Sequence, residues 1–261
     1  MNRDSVRQIA NISGVVGTLI INALSQILPF NGKTSAIIAN QFNPNNYFLP
    51  ANFVFSIWSV IYVGLIAFAV WQALPAQKEN PRLRSVGYWF VASCVANCVW
   101  LFLFHWDQFA LSTVAMVVLI TSLVVIYRKL RSGNPAVSMA EKICLRAPFS
   151  VYLGWITVAL VANVTFVLLD AGWDGFGIAY STWGVIMVVV AGLIAGAFAF
   201  INRDVIYAAV LLWSFFGINQ RFPNVSELAL IAVVAGVLIV IGAVLSMFLG
   251  RSGNQMSSAR A

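Results

Sequence analysis

Eight stretches of this chain are apolar over lengths close to a bilayer crossing: about 9–30, 52–74, 85–105, 108–127, 147–169, 179–201, 205–219 and 226–249. A helix needs about 20 apolar residues to cross roughly 30 Å of hydrocarbon. Inside hydrocarbon each backbone N–H and C=O must be satisfied within its own segment or a closed barrel, so runs of this length can only be helices. The composition agrees, with 61% hydrophobic and 9% charged residues where a soluble domain carries about 25% charge. These features predict an all-α integral membrane protein, a single membrane domain over 1–261 with about eight transmembrane helices. The seventh run is the shortest, and no stretch reads as a soluble domain.

The charges sort by side. With the N-terminus in the cytoplasm and eight crossings, only Lys33 and Arg221 fall outside, and every other lysine and arginine falls in a cytoplasmic segment. That asymmetry predicts both termini inside, in the cytoplasmic membrane of a bacterium. The net charge of +7 then reflects topology and a surface for anionic lipid heads, and not nucleic-acid binding. A basic stretch precedes the first run, as in a signal peptide. Asn11, Thr18, Asn22 and Ser25, however, share one helical face there, which predicts a retained helix with an inward polar stripe.

Three later runs carry stripes of their own: Trp58 and Tyr62; Ser93, Asn97, Trp100 and Phe104; Tyr152, Trp155, Ala159 and Asn163. Spacings of three, four and seven place each set on one side of a helix. An asparagine in hydrocarbon needs a partner, and a tryptophan far from the headgroups has left its usual place. These faces are expected to turn inward and line a space for a flat, apolar ligand. Plain core packing is the competing reading of Trp58, Trp100 and Trp155. Asn97 and Asn163 read more readily as glue between helices than as ligand groups, bonded to each other or to nearby carbonyls. Trp213, in the seventh run, reads as packing.

Other chemistry is sparse. Cys94 and Cys98 lie one helical turn apart, a poor geometry for a disulfide, and read with Cys144 as small packing residues. His105 is the sole histidine; it reads as an interfacial residue and is the one imidazole available for axial ligation. No Ser–His–Asp set, phosphate loop or metal cluster is present, which points away from an enzyme. No ionisable residue falls at the middle of a run, which counts against an ion-driven pump. In the sixth run, Gly192 and Gly196 flanked by Ala191 and Ala195 predict close helix packing. The connection 31–51, rich in Asn and Pro, is long enough to fold over the outer mouth of a bundle.

At the striped residues the chain resembles the TspO/MBR family, the tryptophan-rich sensory proteins. Three blocks carry the resemblance. Val54 to Tyr62, with its Trp58-x-x-x-Tyr62 ending and Pro50 ahead of it, resembles the family's aromatic second helix. Asn97-Cys98-Val99-Trp100, continuing to Phe104, resembles its Asn-x-x-Trp run. Tyr152-Leu153-Gly154-Trp155, followed by Ala159 and Asn163, resembles its Tyr-x-x-Trp pattern. The blocks cover about 9–170, which implies a TspO-like five-helix core followed by three additional transmembrane helices over 179–249. The family's Trp-x-Pro-Pro entry is replaced here by Tyr47-Phe48-Leu49-Pro50. Its sterol-associated Tyr and basic residue are replaced by Thr165, Phe166 and Asp170, so sterol binding does not carry over.

What the resemblance implies is a membrane-embedded binding protein for a hydrophobic planar ligand, with a tetrapyrrole (porphyrin or haem) as the possible bound group, in sensing, sequestration or transport. The ligand-binding residues would be Tyr47, Pro50, Trp58, Tyr62, Asn97, Trp100, Phe104, Tyr152, Trp155, Ala159 and Asn163, with Tyr47 and Pro50 in the lid. The expected partners are the lipid bilayer, a hydrophobic small molecule and, in a homodimer, a second copy. Two alternatives stand beside this: a small-molecule transporter with two helical halves, and a membrane scaffold with no small-molecule ligand.

Overall fold

The computed structural model describes residues 2–43, 45–132 and 137–258. Among them every long element is a helix: α1 (Arg3–Ile27), α2 (Ser35–Asn40), α3 (Ile57–Ala73), α4 (Pro81–Val86), α5 (Trp89–His105), α6 (Phe109–Arg131), α7 (Met139–Glu141), α8 (Ala147–Asp170), α9 (Tyr180–Asn202), α10 (Val205–Arg221) and α11 (Ser226–Ser258). Five segments are long and apolar enough to cross a membrane: Arg3–Ile27, Asn52–Ala73, Phe109–Arg131, Met139–Asp170 and Tyr180–Asn202. Trp89–His105 and Ser226–Gly242 are apolar but shorter.

Local chemistry sets the ends. Asn2 caps α1 by accepting from the Asp4 N–H. α3 stops at Leu74, directly before Pro75, because the residue before a proline is pushed out of the helical region. Gly87 at φ +59 closes α4, and Arg203 in the left-handed region closes α9. Asp204 then caps α10 through the Ile206 and Tyr207 N–H groups, both at 3.1 Å. Pro148 lacks the N–H that would close a turn, and Lys142–Arg146 just ahead of α8 widens into a π-helix.

The chain forms two compact units, one of Met1–Asn43 with Ser56–Gly172 and one of Pro44–Phe55 with Trp173–Ala261. In the first, α1 packs on α3 and α5, α5 on α6, α6 on α8, and α8 on α3, which closes a ring of five helices. α1 shows the membrane logic most plainly. Its buried face is Arg7, Asn11, Val15, Thr18, Asn22 and Ser25, while Ile9, Ile12, Val16, Ile20 and Leu24 are exposed. A water-soluble helix has the reverse arrangement; here the apolar face suits lipid and the polar face finds partners inside. At one level of the ring Phe68, Phe90 and Phe149 are wholly buried and meet at 4.6–5.8 Å.

The second unit is α9, α10 and α11 with the upstream segment 45–55. Gly192 faces α11 so closely that a Cβ there would lie 2.7 Å from the Ala235 Cβ. Ala195 and Ala199 on the same stripe are fully buried. Small residues let the two backbones approach, the packing mode that replaces the hydrophobic effect within lipid. The outer face of α11, including Leu230, Val233, Val237 and Leu238, is exposed.

Candidate functional site

Trp58 and Tyr62 stand one turn apart on α3, and their rings stack at 5.6 Å. Trp100 and Phe104 repeat this on α5, also at 5.6 Å. The five-helix ring brings the two stacks together, with Trp58 over Trp100 at 6.3 Å and 22° between planes. From α8, Tyr152 and Trp155 meet Trp58 edge-on at 6.0 and 6.3 Å. Trp58 is thus bordered by four rings from three helices, in the offset and edge-to-face geometries that aromatic quadrupoles favour. Tyr152, Trp155 and Phe104 are buried, while Trp58 and Tyr62 keep part of their surface open. Phe104 continues the cluster to Phe109 and Phe166 at 5.6 and 5.4 Å.

The two asparagines do not bond each other; each has its own network. The Asn163 side-chain oxygen accepts from the Trp100 indole N–H at 3.2 Å. Its Nδ2 donates to Ser112 Oγ at 2.9 Å and Thr113 Oγ1 at 2.6 Å. One amide on α8 therefore ties α5 to α6. The Asn97 side-chain oxygen accepts from Asn22 Nδ2 at 2.8 Å, and Asn22 Oδ1 accepts from the Tyr62 hydroxyl at 2.9 Å. This chain runs from α3 through α1 to α5. Ala159 sits half-buried on the α8 face between Trp155 and Asn163.

Tyr47 and Pro50 belong to the other unit. There the Tyr47 ring lies 4.8 Å from Phe222, and Pro50 is buried against Gly217. The structure therefore gathers Trp58, Tyr62, Asn97, Trp100, Phe104, Tyr152, Trp155 and Asn163 in one bundle and packs the two lid residues against α9 and α10.

His105 is wholly buried. Its Nδ1 lies 2.8 Å from the Leu101 carbonyl and its Nε2 3.4 Å from Ser35 Oγ. A carbonyl only accepts, so Nδ1 carries the proton and Nε2 accepts from the serine. Both nitrogens are engaged, which leaves neither for a metal as it stands. The same loop is held by Phe30, which stacks on Phe102 at 4.6 Å, by Asn31, which donates to the His105 carbonyl, and by the Lys33–Asp107 ion pair.

Asn22, Ser112 and Thr113 complete this polar framework and were absent from the motif-based set. Asn22 had a signal, since it lies on the inward polar stripe of α1. Ser112 and Thr113 had none beyond their position near the start of a span.

An all-helical membrane protein with an interior of stacked aromatic rings braced by buried amides is the class these observations define. A family model described as TSPO-like protein matches residues 8–248, and the chain belongs to that family. The match runs through α9, α10 and most of α11, beyond the 9–170 stretch that carries the recognisable motifs, so the C-terminal helices lie within the family's own extent. No curated protein and no solved structure gives a match.

Proposed function

We propose that this protein binds a hydrophobic planar ligand within the membrane, and that a tetrapyrrole is the class that fits best. The observation that carries the reading is Trp58 with Tyr62, Trp100, Tyr152 and Trp155 arranged around it, part of its own ring surface still open. A flat conjugated ligand gains area and quadrupole contacts by sliding between such rings, at about 0.5–1.5 kcal/mol for each aromatic pair beyond simple burial. Trp58, Tyr62, Trp100, Phe104, Tyr152 and Trp155 flank the ligand, and Ala159 supplies clearance beside them. Asn97 and Asn163 hold the helices or meet the ligand's polar edge.

In this reading 9–170 is the ligand-binding core and 179–249 adds three further transmembrane helices. α5, α10 and α11 complete eight crossings, and both termini face the cytoplasm of a bacterium.

Titration of the purified full chain with protoporphyrin IX and with haem, followed by tryptophan quenching, tests the proposal. Saturable quenching that weakens at least tenfold in Trp100→Ala and Trp155→Ala supports it. Unchanged binding in both variants removes the pocket assignment, and a flat titration in the wild type removes the tetrapyrrole. Flux of the ligand into vesicles would identify a transporter instead.

A further inference from the structure

One end of the five-helix ring gathers arginines from three different elements. Arg82 comes from α4, Arg131 from the last turn of α6, and Arg146 from the π-helical turn ahead of α8. All three lie in the first compact unit, and none is fully exposed. The charged groups within Coulombic reach of Arg146 are Arg131, Arg82 and Glu141. Three cations therefore share one carboxylate.

That carboxylate is already committed. Glu141 Oε1 accepts from Arg82 Nη1 at 2.8 Å, and the two side chains keep only 13% and 17% of their surface open. Glu141 Oε2 accepts from the Ser138 N–H and completes the capping box of α7. Arg131 turns to neutral groups. Its Nη2 donates to Ser150 Oγ at 2.9 Å, and its guanidinium lies 3.7 Å over the Tyr127 ring. Ser150 Oγ in turn donates to the Arg146 carbonyl at 2.9 Å. Arg146 Nε is buried and meets no acceptor among the described residues. A buried donor without an acceptor and like charges drawn out of water are both unfavourable. An anion seated between the arginines would remove both penalties.

The backbone and the neighbouring side chains narrow the choice of anion. The Ala147 N–H closes on the Lys142 carbonyl, so the turn that carries Arg146 holds one residue more than an α-helical turn. Single turns of this kind are frequent at functional sites. The same segment exposes Met139 and Ile143, at 67% and 58% of their surface, four positions apart. A cationic recess on a segment with exposed apolar side chains suits a molecule with a charged head and a hydrocarbon tail.

We propose that Arg82, Arg131 and Arg146 form a site for the phosphate of an anionic phospholipid, with Arg146 bonding the phosphate and Met139 and Ile143 lying along the acyl chain. Guanidinium forks match phosphate oxygens, and basic pockets between transmembrane helices hold lipid headgroups in this way. The site is independent of any ligand at the Trp58 cluster.

Native mass spectrometry of the purified full chain in a neutral detergent tests the site. The wild type should hold one dioleoylphosphatidylglycerol about tenfold more tightly than dioleoylphosphatidylcholine. Arg146→Gln should abolish that preference, and Arg146→Lys, which keeps the charge but loses the fork, should retain part of it. Arg128→Gln removes an exposed charge from the end of α6 and should weaken binding by no more than about twofold. Equal binding of the two lipids by the wild type, a preference that survives Arg146→Gln, or an equal loss in Arg128→Gln overturns the site. The first of these outcomes needs no variant, so a misfolded Arg146→Gln does not shelter the proposal. Inorganic phosphate at about 1 mM should leave the lipid bound, because the tail adds contacts that the free ion lacks. Displacement at that concentration would assign the recess to a soluble phosphate and overturn the lipid.

Discussion

The Trp100 indole N–H on α5 donates to the Asn163 side-chain oxygen on α8 at 3.2 Å, and both residues are buried. The same asparagine spends its N–H groups on Ser112 and Thr113 of α6. Three helices of the ring therefore meet at one amide. Hydrogen bonds between helices in a membrane average about 0.6 kcal/mol and reach about 1.7, so the energy of the junction comes from the number of groups it satisfies at once.

Replacing that amide should cost more than removing the indole donor. Asn163→Ala leaves the indole N–H without its acceptor and takes away the N–H donor that the Ser112 and Thr113 oxygens accept from, a loss of about 1–3 kcal/mol for orphaned buried groups. Trp100→Phe breaks a single hydrogen bond and leaves a carbonyl oxygen whose amide is otherwise bonded. Thermal unfolding in one detergent should place Asn163→Ala clearly below Trp100→Phe. The reverse order would show that Asn163 is not the junction.

Trp58 borders four rings, and truncating it should be among the most damaging single changes in the first unit. Because part of the Trp58 surface is open, Trp58→Ala is expected to cost about 3 kcal/mol, the low end for deleting a large aromatic from a packed interior. Trp58→Phe, which keeps an aromatic face, should lose less than half of that. Urea or thermal denaturation of the two variants side by side checks the ratio, and near-equal losses would mean that the ring contacts contribute little.

Tyr62 and Asn97 both bond Asn22. If the chain acts as one unit, a double-mutant cycle with Tyr62→Phe and Asn97→Leu should give a coupling of about 0.5 kcal/mol or more, the size found within shared networks. Strict additivity in unfolding measurements would reduce the chain to two independent bonds.

Phe176 holds φ at +54 and is 79% exposed. A bulky residue in that region is strained by about 1–2 kcal/mol, while Asn tolerates it. The turn is otherwise held by the Asp174 carboxylate, which accepts from the Phe176 N–H at 2.9 Å, and by Trp183 donating to the Gly175 carbonyl. Phe176→Asn should therefore stabilise by about 0.5–1 kcal/mol after the ring contact with Trp173 is lost. A fall in melting temperature would show that the phenyl ring contributes more than its strain costs.

The amino-acid sequence by itself determined the helical membrane character, the placement of the eight long helices to within a few residues at most ends, and which face of α1, α3, α5 and α8 turns inward. These are local properties: apolar length, helical periodicity and the cost of bare amides in hydrocarbon act within one segment and can be counted along it. Tertiary structure alone decided the partners. Asn22 pairs with Asn97 across 75 positions, and nothing in the spacing distinguishes that pairing from a bond between Asn97 and Asn163. The 31–51 connection was expected as a cover for the outer mouth; the chain at its end is held by α10, where Trp213 reaches a carbonyl 159 positions upstream. A side chain's direction follows from its own helix, but the atom that receives it depends on how independent helices close around one another, and that closure is a property of the whole chain.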